Sequence, residues 1–341
     1  MPRVRELAED FEVEEVPLFP LTGEGHHAYL WIEKRLRTTD DVLKDLAELL
    51  ELPARDIGYA GRKDRRAVTR QWFSVPVRRP DRLAKLEELD GARVLEVTRH
   101  SQRLRVGQLQ GNHFRLRVRD VSEAQANQAR QKLDVLVRRG MPNRYGRQRF
   151  GRDGMNARRG AELLRGKRMR GDRRRAWLMV SALQSLVFNR VLERRPVGLD
   201  ELLPGDLVMV HGSGELLPVK EPASHLERLG RFEVSPTGPI FGAKMRNPAG
   251  AVRVLEESVM SELEVPPMER FESPKGIRLF GDRRPLRVRP EHPRCDYVEK
   301  VLHLEFALPA GSYATVLLDE LFPDGYDEGP VTLDGSIPAV S

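Results

Sequence analysis

Between Gly58 and Gln71 the chain sets one carboxylate, Asp64, among five cations: Arg62, Lys63, Arg65, Arg66 and Arg70. A positive field of that density favours the charged carboxylate, so Asp64 can serve as a nucleophile or a base near neutral pH. The same cations attract phosphates. An anion set into a phosphate-seeking surface is repelled by the polyanion approaching it, which makes a reacting group one reading of the position. The other is a solvated turn Asp whose neighbours bind phosphate or nothing, and charge runs are more often solvated faces.

Three further stretches carry candidate aromatics: Glu9-Asp10-Phe11, the run from Met141 to Gly151, where amide and basic residues accompany them, and the run from Leu308 to Thr315. On residue type alone, Phe11 is a packing aromatic opening a strand and Tyr313 an aromatic at a helix start. The block Gly61-Arg62-Lys63-Asp64-Arg65-Arg66-Ala67-Val68-Thr69, followed by Gln71-Trp72, resembles the catalytic block of the tRNA pseudouridine synthase D family, and the other three stretches match that family in the same order. The resemblance covers nearly the whole chain. It implies that Asp64 is the nucleophile, that Phe11 and Tyr313 line the pocket for the target uridine, that Asn143 touches the target base or the nucleophile, and that Tyr145 stacks on the flipped base. Arg144 stands where the family commonly has an aromatic, at neither of the two positions with assigned roles.

The implied reaction converts a uridine, by the resemblance that at position 13 of tRNA, to pseudouridine. It breaks the bond from C1′ to N1, turns the base and rejoins it through C5, and it calls for no metal or organic cofactor. Whether the nucleophile attacks C1′ or C6 stays open. The partner implied is tRNA, whose uridine must leave its stack at a cost of a few kcal/mol. Candidate phosphate contacts are Lys63, Arg66, Arg147, Arg149, Arg158 and Arg159. From Met141 to Arg175 there are 13 basic and 3 acidic residues, a surplus of +10 against +7 for the whole chain, so the basic charge is concentrated as a polyanion footprint would be. The interleaved Tyr145, Phe150, Met155 and Leu163 argue that this segment folds and is not a basic tail.

With 341 residues, 40% hydrophobic and 32% charged, the chain has the composition of a soluble globular protein of two domains. Of its 58 basic residues 48 are Arg, whose planar forks fit phosphate oxygens and stack on bases, although GC-rich coding would account for part of that excess. Cys295 is the single cysteine, which excludes an internal disulfide framework and fits a reducing cytoplasm. No apolar run approaches 18 residues and no charged-then-apolar leader is present, so no membrane partner is expected. The eight His lack metal-ligand spacing, and Gly166-Lys167-Arg168 lacks the Ser or Thr of a phosphate-binding loop. Two rival readings remain: a non-catalytic structured-RNA-binding protein, which gives no reason for an anion at Asp64, and another RNA enzyme such as a methyltransferase, for which no glycine-rich strand-to-helix turn is found.

The elements that must hold these residues follow from periodicity. Residues 1 to 36 read as short extended pieces, with strands near Phe11 and from Ala28 to Glu33. Thr39 opens a helix with Val42, Leu43, Leu46, Leu49 and Leu50 at helical spacing, ended by Pro53. Asp64 then lies on a loop before a strand from Trp72 to Val77. Strands are expected at Arg93 to Thr98, Arg103 to Gly107 and His113 to Arg119, the last alternating Phe114, Leu116 and Val118 with Arg115, Arg117 and Arg119. That cationic face is either an RNA platform or an ordinary solvated side of a sheet. Ser122 with Gln125 opens a helix stopped by Gly140, and Ala176 to Glu193 is a helix buried on most sides, Trp177 included. A helix near Val252 to Leu263, a strand from Val298 to Leu308, and a helix from Tyr313 to Leu321 capped by Ser312 complete the reading. The tail from Pro323 is expected to be poorly ordered. Together with the resemblance this implies an α+β fold: a pseudouridine-synthase catalytic domain with a mixed or antiparallel sheet, discontinuous in sequence (1–168 and 289–341), with an inserted α/β domain at 169–288 forming one wall of an RNA cleft. A cleft made by one chain needs no second subunit, so a monomer is expected.

Overall fold

The computed structural model describes residues 1–77, 86, 89–167, 172–267 and 276–328. In chain order the strands are β1 (Arg3–Val4), β2 (Phe11–Pro17), β3 (His27–Arg35), β4 (Gly58–Tyr59), β5 (Val68–Pro76), β6 (Ala92–His100), β7 (Leu109–Arg119), β8 (Met141–Pro142), β9 (Leu207–Val210), β10 (Leu216–Pro218), β11 (Val234–Ile240), β12 (Asp282–Pro285), β13 (Arg287–Val288), β14 (Glu291–Val298), β15 (Val301–Pro309) and β16 (Asp327–Glu328). The helices are α1 (Thr39–Leu49), α2 (Glu123–Arg139), α3 (Met155–Leu164), α4 (Arg173–Arg194), α5 (Leu226–Gly230), α6 (Gly250–Glu262) and α7 (Ala314–Leu321). The fold is α+β. Two compact units emerge, Met1–Asp134 with Pro290–Gly311 and Leu321–Ser341, and Val135–Arg289 with Ser312–Glu320. The stretch 169–288 lies wholly inside the second unit, which also takes in 135–168 because β8 pairs with β13 and α3 packs on α4.

The first unit is built on a sheet in the order β14-β15-β7-β2-β5-β3-β6, antiparallel except where β2 runs parallel to β5. Alternation decides its faces. Phe114, Leu116 and Val118 of β7 point inward and stand opposite Phe306, Leu304 and Leu302 of β15, and the two Phe rings stack at 5.3 Å. α1 covers another part of the inner face with Val42, Leu43 and Leu46 against Leu30, Ile32, Phe73 and Val75. Each such side chain contributes roughly 1.5–3 kcal/mol when buried. Reciprocal bonds between Thr38 and Asp41 cap α1.

The outer face resolves the question of the cationic platform. Taken strand by strand across the sheet, Arg294, Glu305, Arg115, Glu14, Arg70, Glu33 and Arg93 form one row of alternating charge. Successive members lie 3.9, 3.5, 3.6, 3.6, 2.8 and 2.9 Å apart. Arg117 reaches Glu12 and Arg119 is bonded to the buried Asp10. The guanidiniums of β7 are therefore matched by carboxylates of the adjacent strands and of the turn that precedes β2.

Three expectations are corrected. Arg103 to Gly107 is not a strand: Leu104 N–H donates to the Ser74 hydroxyl, Arg103 to the Ile57 carbonyl and Gly107 N–H to the Ala60 carbonyl, which folds the segment against β4 and β5. Ser312 does not cap α7, which starts at Ala314; its hydroxyl bonds Asn143. Trp177, expected in the buried stripe of α4, is half exposed. The tail beyond residue 328 lies outside the described residues.

In the second unit α4 buries Ala176, Met179, Val180, Leu183 and Val187 against α3 and α6. Gly160 of α3 permits the closest approach, since a Cβ there would stand 2.3 Å from the Met179 carbonyl oxygen. A sheet in the order β10-β9-β11-β12 and the β8–β13 pair make up the rest. Two buried ion pairs tie it: Arg283 with Glu256 at 2.7 Å and Arg195 with Asp206 at 2.6 Å. Among the described residues no helix is long and apolar enough to cross a membrane.

Candidate active site

Asp64 sits on the connection between β4 and β5, and that connection is pinned from several sides. Gln71 of β5, fully buried, donates from Nε2 to the Gly61 carbonyl (2.9 Å) and accepts from the Thr39 hydroxyl (2.8 Å). Thr39 in turn accepts from the Lys63 backbone N–H at 2.9 Å. Lys34 of β3 donates from Nζ to the Asp64 carbonyl at 2.8 Å and to the Arg37 carbonyl. Burial lowers the Lys34 ammonium to about 8, with Asp64 pulling the other way.

The backbone being held, the Asp64 side chain is free to face outward and is 41% exposed, with Oδ2 3.0 Å from Nη2 of Arg5. Arg5 is buried, with its guanidinium carbon 3.9 Å above the centroid of the Phe11 ring. Its backbone is left-handed at φ 63°, a conformation that costs a non-glycine residue of order 1–3 kcal/mol and that marks a constrained position. Phe11 is buried, edge-on to Phe114 at 6.3 Å. The first unit thus brings Asp64, Arg5 and Phe11 together, with Phe11 backing the guanidinium.

Lys63 faces inward, not toward solvent, and is paired with buried Glu15 at 2.6 Å; burial pushes the Glu15 carboxyl up, with Lys63 opposing. This corrects its expected place among the phosphate contacts. Arg66 keeps one terminal nitrogen, Nη2, without a hydrogen-bond partner.

The second unit gathers Asn143, Tyr145 and Tyr313. Asn143 is buried and heavily engaged: N–H to the Leu286 carbonyl (2.9 Å), Nδ2 to the Pro285 carbonyl (3.0 Å), and Oδ1 accepting from the Ser312 hydroxyl (3.2 Å) and from Arg284. Tyr145 is fixed by Asn189 of α4, which bonds both its N–H (2.9 Å) and its carbonyl (3.0 Å). Its ring meets Phe188 edge-on at 5.7 Å and Tyr313 at 6.3 Å, and the Arg284 guanidinium lies over it at 4.2 Å. Gly146 lets the Tyr313 ring pack close, since a Cβ there would stand 3.1 Å from it.

Arg147, Arg158 and Arg159 are exposed and form no ion pair among the described residues. Arg149, expected among the phosphate contacts, is half-buried and donates to the hydroxyls of Ser181 and Ser185. Arg5, Lys34, Arg284 and Asn189 were not singled out from sequence. For Lys34 a signal existed, since Leu30, Ile32 and Lys34 share the inward side of one alternating strand. No group of three or more His, Cys, Asp or Glu that could hold a metal occurs among the described residues.

A family profile for tRNA pseudouridine synthase D (TruD) matches residues 2–170 and 172–321. The tRNA pseudouridine synthase D of Geobacter metallireducens is 38% identical, across 94% of this chain and 95% of that one. That of one Thermus thermophilus strain is 41% identical, across 93% and 88%. A solved structure from Methanosarcina mazei, assigned to tRNA pseudouridine synthase D, superposes with a TM-score of 0.72 at 23% identity, across 94% of this chain and 93% of that one, and shares the fold.

Proposed function

We propose, because this chain belongs to the tRNA pseudouridine synthase D family, that Asp64 is the nucleophile with which it isomerises a uridine of tRNA, the one at position 13, to pseudouridine. The chain is a tRNA pseudouridine synthase, an isomerase. In one route an Asp64 oxygen attacks C1′ and the C1′–N1 electron pair leaves with the uracil. In the other it adds to C6, and the C1′–N1 bond breaks within that adduct. In both, the base turns, a bond forms from C1′ to C5, C5 gives up its proton, N1 gains one, and the Asp64 bond is broken. Atoms balance because the product is an isomer.

The observation that supports the nucleophile most directly is the Arg5 guanidinium, buried, stacked on Phe11 and 3.0 Å from a carboxylate that is itself accessible. Such a partner fixes the direction of the attacking oxygen and stays in place as negative charge moves from the carboxylate into the reacting nucleoside. Phe11 therefore acts by holding Arg5. Tyr145 and Tyr313 offer aromatic surface to the extruded base, with Asn143 and Arg284 setting the Tyr145 ring, and Arg147, Arg158 and Arg159 take backbone phosphates. The enzyme acts as a monomer.

Incubating purified protein with unmodified tRNA and mapping carbodiimide-blocked primer extension tests this. Product should appear at one uridine, and Asp64→Asn should lower kcat by about 10⁴-fold or more while tRNA binding persists. Full turnover by that variant would remove Asp64 from the chemistry.

A further inference from the structure

The two ends of α4 have different surroundings. Toward its C-terminal end Asn189 and Phe188 hold Tyr145. At mid-helix Ser185 and Ser181 take the Arg149 guanidinium. The first two turns are solvent-facing: Arg173, Arg174 and Arg175 are exposed, and so are Trp177 at 50% and Leu178 at 42%. Residues three and four apart share a helix face, so Trp177 and Leu178 lie over Arg173 and Arg174.

Large aromatics normally belong to cores. Here the opposite face of the same turns is buried through Ala176, Met179 and Val180, so the helix has a core side and the indole is not on it. Among the described residues these guanidiniums form no ion pair and no cation lies over the Trp177 ring. An open indole flanked by unneutralised guanidiniums offers a π-face to a base and charge to the phosphates on either side of it.

We propose that the N-terminal two turns of α4 bind a second nucleotide of the tRNA, its base stacked on Trp177 and its flanking phosphates on Arg173 and Arg174. Trp177 and Asn189 are 12 residues apart, which at 1.5 Å per residue is about 18 Å along the helix. The base on Trp177 is therefore not the one that meets Tyr145. A base must be unpaired to expose its face, so this contact selects the tRNA by the position of an unpaired nucleotide relative to the target. The proposal rests on tRNA being the substrate and adds a contact that reads the rest of the molecule.

The test uses the full chain and unmodified tRNA. Trp177→Ala should weaken tRNA binding and raise KM by about tenfold, with kcat at saturation unchanged. Trp177→Phe should recover most of the affinity, whereas Trp177→Leu, which keeps apolar bulk without a stacking face, should not. Arg174→Ala should lower the slope of log affinity against log salt by about 1, and Trp177→Ala should leave that slope unchanged. Trp177 fluorescence, taken as the difference between wild type and Trp177→Phe, should be quenched on adding tRNA. Unchanged affinity of Trp177→Ala, or Leu restoring binding as well as Phe, overturns the proposal. The quench reports binding whether or not product forms, so quenching without pseudouridine would defeat the catalytic reading and spare this one.

Discussion

At the residue scale the first unit surrounds Asp64 with two buried cations of different function. Arg5 touches the carboxylate and Lys34 touches the carbonyl of the same residue. Arg5→Met should lower kcat about 100-fold with tRNA affinity unchanged, measured by single-turnover conversion, because the reacting oxygen loses its partner. Lys34 should appear in the pH dependence of stability. Its folded value near 8 lies below the ordinary 10.5, so between those values the unfolded chain binds the extra proton and stability rises with pH. The cost of burying the charged ammonium is present in full below 8. Denaturant melts from pH 7.5 to 10 should show this rise in wild type, and Lys34→Met should lack it. Asp64 stands out from sequence as one carboxylate among cations, whereas Asn143, Tyr145 and Tyr313 could be singled out only because the short blocks that carry them resemble the family's in the same order. Arg5 and Arg284 could not be, since their partners Asp64 and Asn143 lie 59 and 141 residues away.

At the element scale, helices and inward strand faces were readable because burial imposes the period directly: α1, α2, α6, β7 and β15 lie where alternation or helical spacing places them. What periodicity misses is what a neighbouring element supplies. Arg103 to Gly107 alternates like a strand, but its bonding groups are taken by Ser74, Ile57 and Ala60. Arg115 and Arg117 read as a cationic stripe because the carboxylates that answer them, Glu14, Glu305 and Glu12, belong to strands distant in sequence. The α3–α4 contact gives a sharp expectation. Gly160→Ala places a methyl 2.3 Å from the Met179 carbonyl, so the helices must part, costing about 1–3 kcal/mol, read as a lower midpoint in urea unfolding.

At the scale of the whole molecule, the distribution of unpaired charge matters more than its sum. The chain carries +7, yet on the sheet face of the first unit arginines and glutamates alternate, whereas among the described residues exposed arginines without an ion pair recur at 147, 158, 159 and 173–175. Replacing Glu12, Glu14 and Glu305 together by Gln should free the β7 guanidiniums and raise affinity for unrelated RNA at low salt, measured by filter binding, with little change for substrate tRNA at physiological salt. The sheet has a further consequence for how the protein is made. Phe114 of β7 pairs with Phe306 of β15, about 190 residues later. At ribosomal speeds of roughly 5–20 residues per second, that flank of β7 waits about 10–40 s for its partner, its greasy edge bare at the tunnel exit. Translation stalled near residue 290 should leave the first 134 residues open to protease, and release past residue 328 should protect them, so demand for chaperones is concentrated in that interval.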